Sequence, residues 1–206
     1  MSVLVAPGMS IPGLPSSGVP PSRALADSRG SPATGCANVV AVDAAATRSV
    51  ARMTRRSLRS PMSAGEKKRV WGEFAARETE YLDEVADRWG GSGAYAQTAR
   101  RVATYGEAEW EQINREYAGI EARIRELMEA GTEPTDPAAM DVAEAQRQHV
   151  CRWYYPMTHD LQVRKSELFL FDPRYRGPLE EKTRPGAPEW LAAAVEANAT
   201  RAGSPA

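Results

Sequence analysis

The chain has 206 residues and a formal net charge of −1, unevenly divided: residues 1–60 carry seven Arg against two Asp, and the remainder carries 19 Lys+Arg against 25 Asp+Glu. The acidic part, about 145 residues long, is a poor partner for nucleic acid or an anionic membrane and holds no apolar run long enough to span a bilayer. Two cysteines, Cys36 and Cys151, make no disulfide framework, so a reducing, cytoplasmic compartment is expected.

All fifteen aromatic residues (five Trp, seven Tyr, three Phe) lie at or after Trp71, and residues 1–60 hold six of the fifteen prolines and five of the sixteen glycines. A stretch this poor in large apolar side chains cannot bury enough surface to offset its ordering entropy, so residues 1–61 are predicted to be disordered. Three readings of it stand: an Arg- and Ser-rich targeting peptide, a flexible arm, or upstream codons of a GC-rich genome preceding a true start at Met53 or Met62. The third is favoured by the Ala, Arg, Gly, Pro and Ser bias. A single domain is expected over residues 62–201, with a short disordered tail at 202–206.

Within that domain the pattern is helical throughout. Ser63-Ala-Gly-Glu66 has the spacing of a capping box and opens a short helix bearing Val70, Trp71 and Phe74. The next, about 78–89, puts Tyr81, Leu82, Val85 and Trp89 on one face. Gly90-Gly91 ends it and Ser92 caps a third, whose inward face is Tyr95, Ala99, Val102 and Ala103. The strongest periodicity runs over 107–130, where Trp110, Ile113, Tyr117, Ile120, Ile124 and Leu127 recur at alternating steps of three and four. Gly131 stops this helix, and Asp136-Pro137 supplies an N-cap and first-turn proline for the next. That one runs to about Tyr155, where Pro156 forbids continuation. A helix over about 159–171, a short one opened by Asp172-Pro173, and a last one over about 188–200 burying Trp190, Leu191 and Val195 complete the set. No segment alternates as a strand. Seven or eight helices with short links predict an all-α, globin-like domain rather than a four-helix bundle.

The chemistry concentrates in Arg147-Gln-His-Val-Cys-Arg-Trp-Tyr-Tyr-Pro-Met-Thr-His159, which contains both histidines. His149 and His159 are ten residues apart across a proline turn, unlike the one-turn spacing of a zinc protease, and Cys151 diverges from His149 on a helix, so no metal is expected. Cys151 beside Arg152 has some character of an activated thiol, but mid-helix in apolar company a lone Cys reads first as a small core residue. Haem is not favoured, because the tryptophans fill the interior that His149 would need to face. No phosphate loop, nucleophile elbow or paired-carboxylate arrangement occurs. No cofactor and no enzymatic activity are therefore expected. What remains is binding: Trp89, Trp110, Trp153, Tyr154, Tyr155 and Phe169 are read either as core or, collectively, as the wall of a groove for an apolar, planar ligand.

Several segments together resemble one family. Trp89-Gly90, Tyr105-Gly-Glu-Ala-Glu-Trp110, Met140-Asp141, Arg147-Gln-His149, Trp153-Tyr-Tyr155, Glu167, Asp172-Pro-Arg-Tyr175 and Ala194-x-x-Ala-Asn-Ala199 are similar, in order, to the TipAS-type antibiotic-recognition domain. The resemblance implies a globin-like fold without haem that binds bulky peptide antibiotics, especially thiopeptides, in an open groove. In the family the domain commonly follows a MerR-type DNA-binding head, whereas shorter versions act alone by sequestering drug. Residues 1–60 lack the amphipathic helices of such a head. The position of the family's drug-capturing cysteine is occupied by other residues, Met157 and Arg164 standing in the segment after the aromatic triplet, so binding is expected to be non-covalent.

The reading is thus a monomeric drug-binding protein that touches neither nucleic acid nor membrane. Its groove is expected to be formed by Trp89, Trp110, His149, Trp153, Tyr155, Met157 and Phe169, their rings partly uncovered, with Trp71 and Phe74 as a lid. The alternative is a ligand-responsive interaction or regulatory module without its own DNA-binding domain, meeting its partner through the seam of residues 107–130.

Overall fold

The computed structural model describes residues 60–90 and 92–203, the side chains of Arg88 and Trp89 excepted. The expectations for residues 1–59 and 204–206 lie outside the described residues. Among the described residues eight α-helices and one 3-10 segment follow in order: α1 (Ala64–Trp71), the 3-10 segment (Gly72–Arg77), α2 (Glu78–Trp89), α3 (Gly93–Val102), α4 (Glu107–Glu129), α5 (Pro137–Trp153), α6 (His159–Phe171), α7 (Pro173–Lys182) and α8 (Ala187–Gly203). No strand occurs among the described residues. The fold is all-α and globin-like, as the sequence predicts.

Local chemistry sets most of the boundaries. The Ser63 and Glu66 capping box forms: Ser63 N–H donates to Glu66 Oε2 at 2.6 Å and Glu66 N–H to Ser63 Oγ at 3.3 Å. Asp136 and Asp172 accept from backbone N–H groups two residues on, each ahead of a proline in the first turn. One boundary differs from the expected pattern. Gly72, at φ 58°, ends α1 and turns the chain into the 3-10 segment, so Phe74 sits on a separate short element. Ala103, expected to face inward, is exposed, because α3 ends one residue before it.

Packing divides the interior into two main clusters. In one, α4, α5, α6, α7 and α8 enclose an aliphatic core with Ile124, Leu127, Val142, Phe169, Leu179, Leu191 and Val195 among its members. The other is aromatic and lies towards the N-terminal end of α4, holding Trp110, Ile113, Val150, Trp153, Tyr154, Tyr155 and Met157, with Met62, Trp71 and Phe74 laid over it. A smaller cluster joins α2 and α3 through Leu82, Val85, Tyr95 and Ala99. The most extensive helix pairing is α6 on α8, followed by α5 on α8 and on α4. These helices form the scaffold; α1 and the 3-10 segment are appended to its aromatic end. Among the described residues no helix is long and apolar enough to cross a membrane.

Candidate functional site

Most of the side chains expected to bind ligand converge. Trp110 projects from the first turn of α4, Trp153 from the last turn of α5, and Tyr154, Tyr155 and Met157 from the turn that Pro156 imposes, so one helix start and one helix end supply most of the rings. They meet edge to face, the arrangement that ring quadrupoles favour. Trp71 lies 5.2 Å from Trp110, and Tyr105 lies 6.0 Å from Trp110 and 5.7 Å from Trp153, all at interplanar angles above 80°. The Tyr105 hydroxyl donates to the Trp153 carbonyl at 2.6 Å and caps the unsatisfied end of α5.

The rings are not partly uncovered, as the sequence reading expected. Trp110 is 1% exposed, Tyr155 1%, Met157 3% and Trp153 8%. The cover is the N-terminal segment: Met62, Trp71 and Phe74 are themselves buried against the cluster. Ser60 Oγ donates to the Tyr105 carbonyl, Asn114 Nδ2 donates to the Val70 carbonyl at 3.2 Å, and Arg69 forms a two-point pair with Glu107 on the surface. An open cavity of about 440 Å³ lies on the outer side of this cover, bounded by Lys67, Lys68, Glu73 and Glu78 with small neighbours, and none of the predicted groove residues lines it.

Two expected residues stand apart. Phe169 belongs to the aliphatic cluster. His149 flanks the aromatic cluster, its ring centroid 6.4 Å from Tyr154 and 5.5 Å from Tyr117. The side chain of Trp89 lies outside the described residues.

Glu116 was missed by the sequence reading, which treats an acid on the flank of an amphipathic helix as solvated. It accepts from Trp153 Nε1 at 2.6 Å and from Gln112 Nε2 at 2.9 Å, and pairs with Arg152, whose guanidinium lies 4.9 Å from the Trp153 ring centroid. Burial pushes its carboxyl upward, but the hydrogen bonds from Trp153 and Gln112 and the charge of Arg152 outweigh this and leave it below the usual range. Burial likewise depresses His149, more than the nearby Glu116 carboxylate raises it, so the imidazole is neutral at neutral pH. Its Nδ1 stands 3.4 Å from Glu116 Oε2, within ion-pair reach but without hydrogen-bond geometry.

Several polar heads in and beside the cluster make no hydrogen bond. Trp71 Nε1, Trp110 Nε1, both His149 nitrogens and the hydroxyls of Tyr154 and Tyr155 are buried without a hydrogen bond. Burial also pushes both phenols up, which keeps them protonated as donors. Cys151, by contrast, is committed: its sulfur accepts from the Met157 N–H at 3.2 Å and lies 3.6 Å from Arg147. Among the described residues no group of three or more His, Cys, Asp or Glu side chains is placed to hold a metal ion.

Comparison with known proteins gives this arrangement a context. The chain is 31% identical over 149 residues to the HTH-type transcriptional activator TipA of Streptomyces coelicolor, and equally to that of Streptomyces lividans, covering 72% of this chain and 58% of each relative. It is 29% identical over 109 residues to the HTH-type transcriptional activator mta of Bacillus subtilis, covering 53% of this chain and 41% of that one. The chain therefore spans little more than half the length of the curated relatives it matches. The solved structure of TipAS from Streptomyces lividans in complex with nosiheptide superposes with a TM-score of 0.64 at 29% identity, over 71% of this chain and all of that one. Residues 81–198, from within α2 to near the end of α8, match the TipAS antibiotic-recognition domain: this chain belongs to that family.

Proposed function

We propose that the aromatic cluster is a closed binding site that opens to take up a bulky, ring-rich peptide antibiotic of the thiopeptide class and holds it non-covalently. One observation carries the reading: five side chains in and beside the cluster bury six polar atoms without a hydrogen bond. Well-packed proteins leave few such atoms, and each costs about 1–3 kcal/mol. A core built only for stability would have phenylalanine at these places. Donors spread among ring faces suit a guest that presents heteroaromatic rings and amides together.

The entry route follows from the packing. α1 and the 3-10 segment precede the stretch that matches the family and cover the cluster as a flap, fixed by Trp71, Phe74 and a few polar contacts. Lifting the flap uncovers Trp110, Trp153, Tyr155 and Met157 while the aliphatic cluster stays intact. Ligand rings then stack among the indoles, the Tyr154 and Tyr155 hydroxyls donate to ligand carbonyls or ring nitrogens, and Trp71 and Phe74 close from above. Nosiheptide is the ligand held by the similar TipAS structure and is the first to test here.

Binding without chemistry is the expected mode, in the cytoplasm and by a monomer. Cys151 packs against the cluster, with its sulfur engaged by the Met157 backbone and the Arg147 guanidinium. The assay is titration of nosiheptide against tryptophan fluorescence, with intact mass of the protein and recovery of the antibiotic. Saturable emission change, a raised melting temperature, no mass adduct and unaltered antibiotic are expected. Unchanged emission and melting temperature at high ligand refute the proposal. A second reading, a ligand-responsive regulatory module, is favoured by the activator names of the relatives. It predicts a protein partner whose binding depends on the ligand.

A further inference from the structure

Between the aromatic and aliphatic clusters lies a belt of buried polar side chains. On α4, Tyr117 separates Ile113 of the aromatic cluster from Ile124 of the aliphatic one. On α5, Gln146 and His149 stand between Ala143 and Val150, and on α6, Gln162, Lys165 and Ser166 stand between Leu161 and Phe169. The three helices thus place polar residues at one level of the molecule.

The belt is linked, and one link fixes its direction. Gln162 Nε2 donates to the Ala143 carbonyl at 2.8 Å; a carbonyl only accepts, so the nitrogen of this amide must face it. The same nitrogen lies 3.3 Å from Gln146 Oε1, and Gln146 Nε2 is 3.5 Å from the Tyr117 hydroxyl. Tyr117 in turn packs against the His149 ring. With its nitrogen so committed, Gln162 presents Oε1 as an acceptor that has no donor, in a side chain only 3% exposed. The two His149 nitrogens, neither of which makes a hydrogen bond, lie in the same belt.

Leaving an acceptor unmatched at this depth is costly, and an apolar residue of similar shape would remove the cost. The belt borders the cluster that the flap covers, so lifting the flap brings ligand to its edge. We infer that the belt is the polar floor of the binding site, where Gln162 Oε1 accepts a hydrogen bond from a peptide N–H of the ligand; this rests on the reading of the cluster as a peptide-antibiotic site. Aromatic walls select for rings, and the floor selects for an amide edge. A flat apolar molecule without N–H donors would satisfy the walls and leave Gln162 unmatched, so the belt restricts the site to peptide-like guests.

The test uses the whole chain with glutamine labelled with ¹³C in its side-chain carbonyl, the Gln162 resonance being assigned through its backbone, and nosiheptide as the probe. On binding, the Gln162 carbon moves downfield, as a carbonyl carbon does when its oxygen accepts a hydrogen bond. Q162M weakens nosiheptide about tenfold, whereas Q146M, which breaks the same Gln–Gln contact but leaves the acceptor, weakens it by no more than about threefold. Nosiheptide bound by the wild-type protein with the Gln162 carbon unmoved, or equal losses in the two variants, overturns the inference and leaves the binding reading standing. No binding by the wild-type protein overturns both.

Discussion

Trp71→Ala separates the flap from the scaffold and makes the strongest test of how the site is built. The indole is 3% exposed, meets Trp110 edge to face at 5.2 Å and Phe74 at 6.2 Å, and has Lys67 Nζ 5.6 Å from its centroid. Truncating a buried tryptophan costs about 3–5 kcal/mol, part of it transfer energy and part the cavity left behind. If the flap opens on its own, that whole loss falls on the opening equilibrium and raises the open population roughly 100- to 1,000-fold or more. Among the other contacts, the Arg69–Glu107 pair is largely solvent-exposed and screened by salt and the Asn114 and Ser60 bonds are single, while the largely buried two-point Lys67–Glu78 pair and the Phe74–Tyr81 ring contact tether the flap to α2. Amide hydrogen exchange with mass detection reads the result by segment. In the variant, residues 64–77 are expected to exchange faster by that factor while α5, α6 and α8 keep wild-type protection, and tryptophan emission shifts to the red as Trp110 and Trp153 meet water. Nosiheptide affinity falls because the closing ring is gone. Acceleration spread equally over α1 and α8 refutes the reasoning, because it makes Trp71 part of one indivisible core.

Three further predictions follow from other groups. Tyr154→Phe and Tyr155→Phe each delete a buried hydroxyl without a partner; thermal unfolding is expected to show stability unchanged or raised by about 1 kcal/mol, with weaker nosiheptide binding by calorimetry. Glu144 is held at about 2, chiefly by Arg147, with further bonds from Asn198 and Gln148. A depressed carboxyl contributes stability that is fully present above its ordinary value of 4.5 and is lost as pH falls towards 2. Urea melts should therefore show a loss of about 1–2 kcal/mol over that window, after allowing for solvent screening, and Glu144→Gln should be destabilised at neutral pH and lack this acid dependence. Lys165 is pushed down to about 7 by burial. Between pH 7 and its ordinary 10.5 the unfolded chain binds the extra proton, so this group opposes folding most below pH 7 and progressively less as pH rises. Lys165→Met is expected to stabilise by on the order of 2–4 kcal/mol at pH 6 and by much less near pH 10, measured by denaturant melts across the range.

What the residues disclosed and what they hid divides by range. Caps, turn prolines and the three-four periodicity of α4 act within one or two turns, so the capping box at Ser63, the Asp-Pro starts and the end forced by Pro156 could be read directly. Gly72 carried a local signal too, but the helical pattern through Phe74 masked it. Burial is another matter. Periodicity says which face of α4 turns inward, yet Trp110 and Ile124 lie on that same face and end in different clusters. Phe169 was grouped with the other aromatics by residue type, although on α6 it lies beyond the polar belt. Whether Trp110 is roofed depends on Trp71, 39 positions earlier, and no local rule pairs two tryptophans across such a distance. Polar residues hide most completely: Glu116, Gln146 and Gln162 read as surface until their partners on neighbouring helices are known. A site made of apolar rings is therefore half-visible in sequence, through an excess of indole and phenol, whereas the groups that fix orientation are ordinary residues made significant only by where the helices place them.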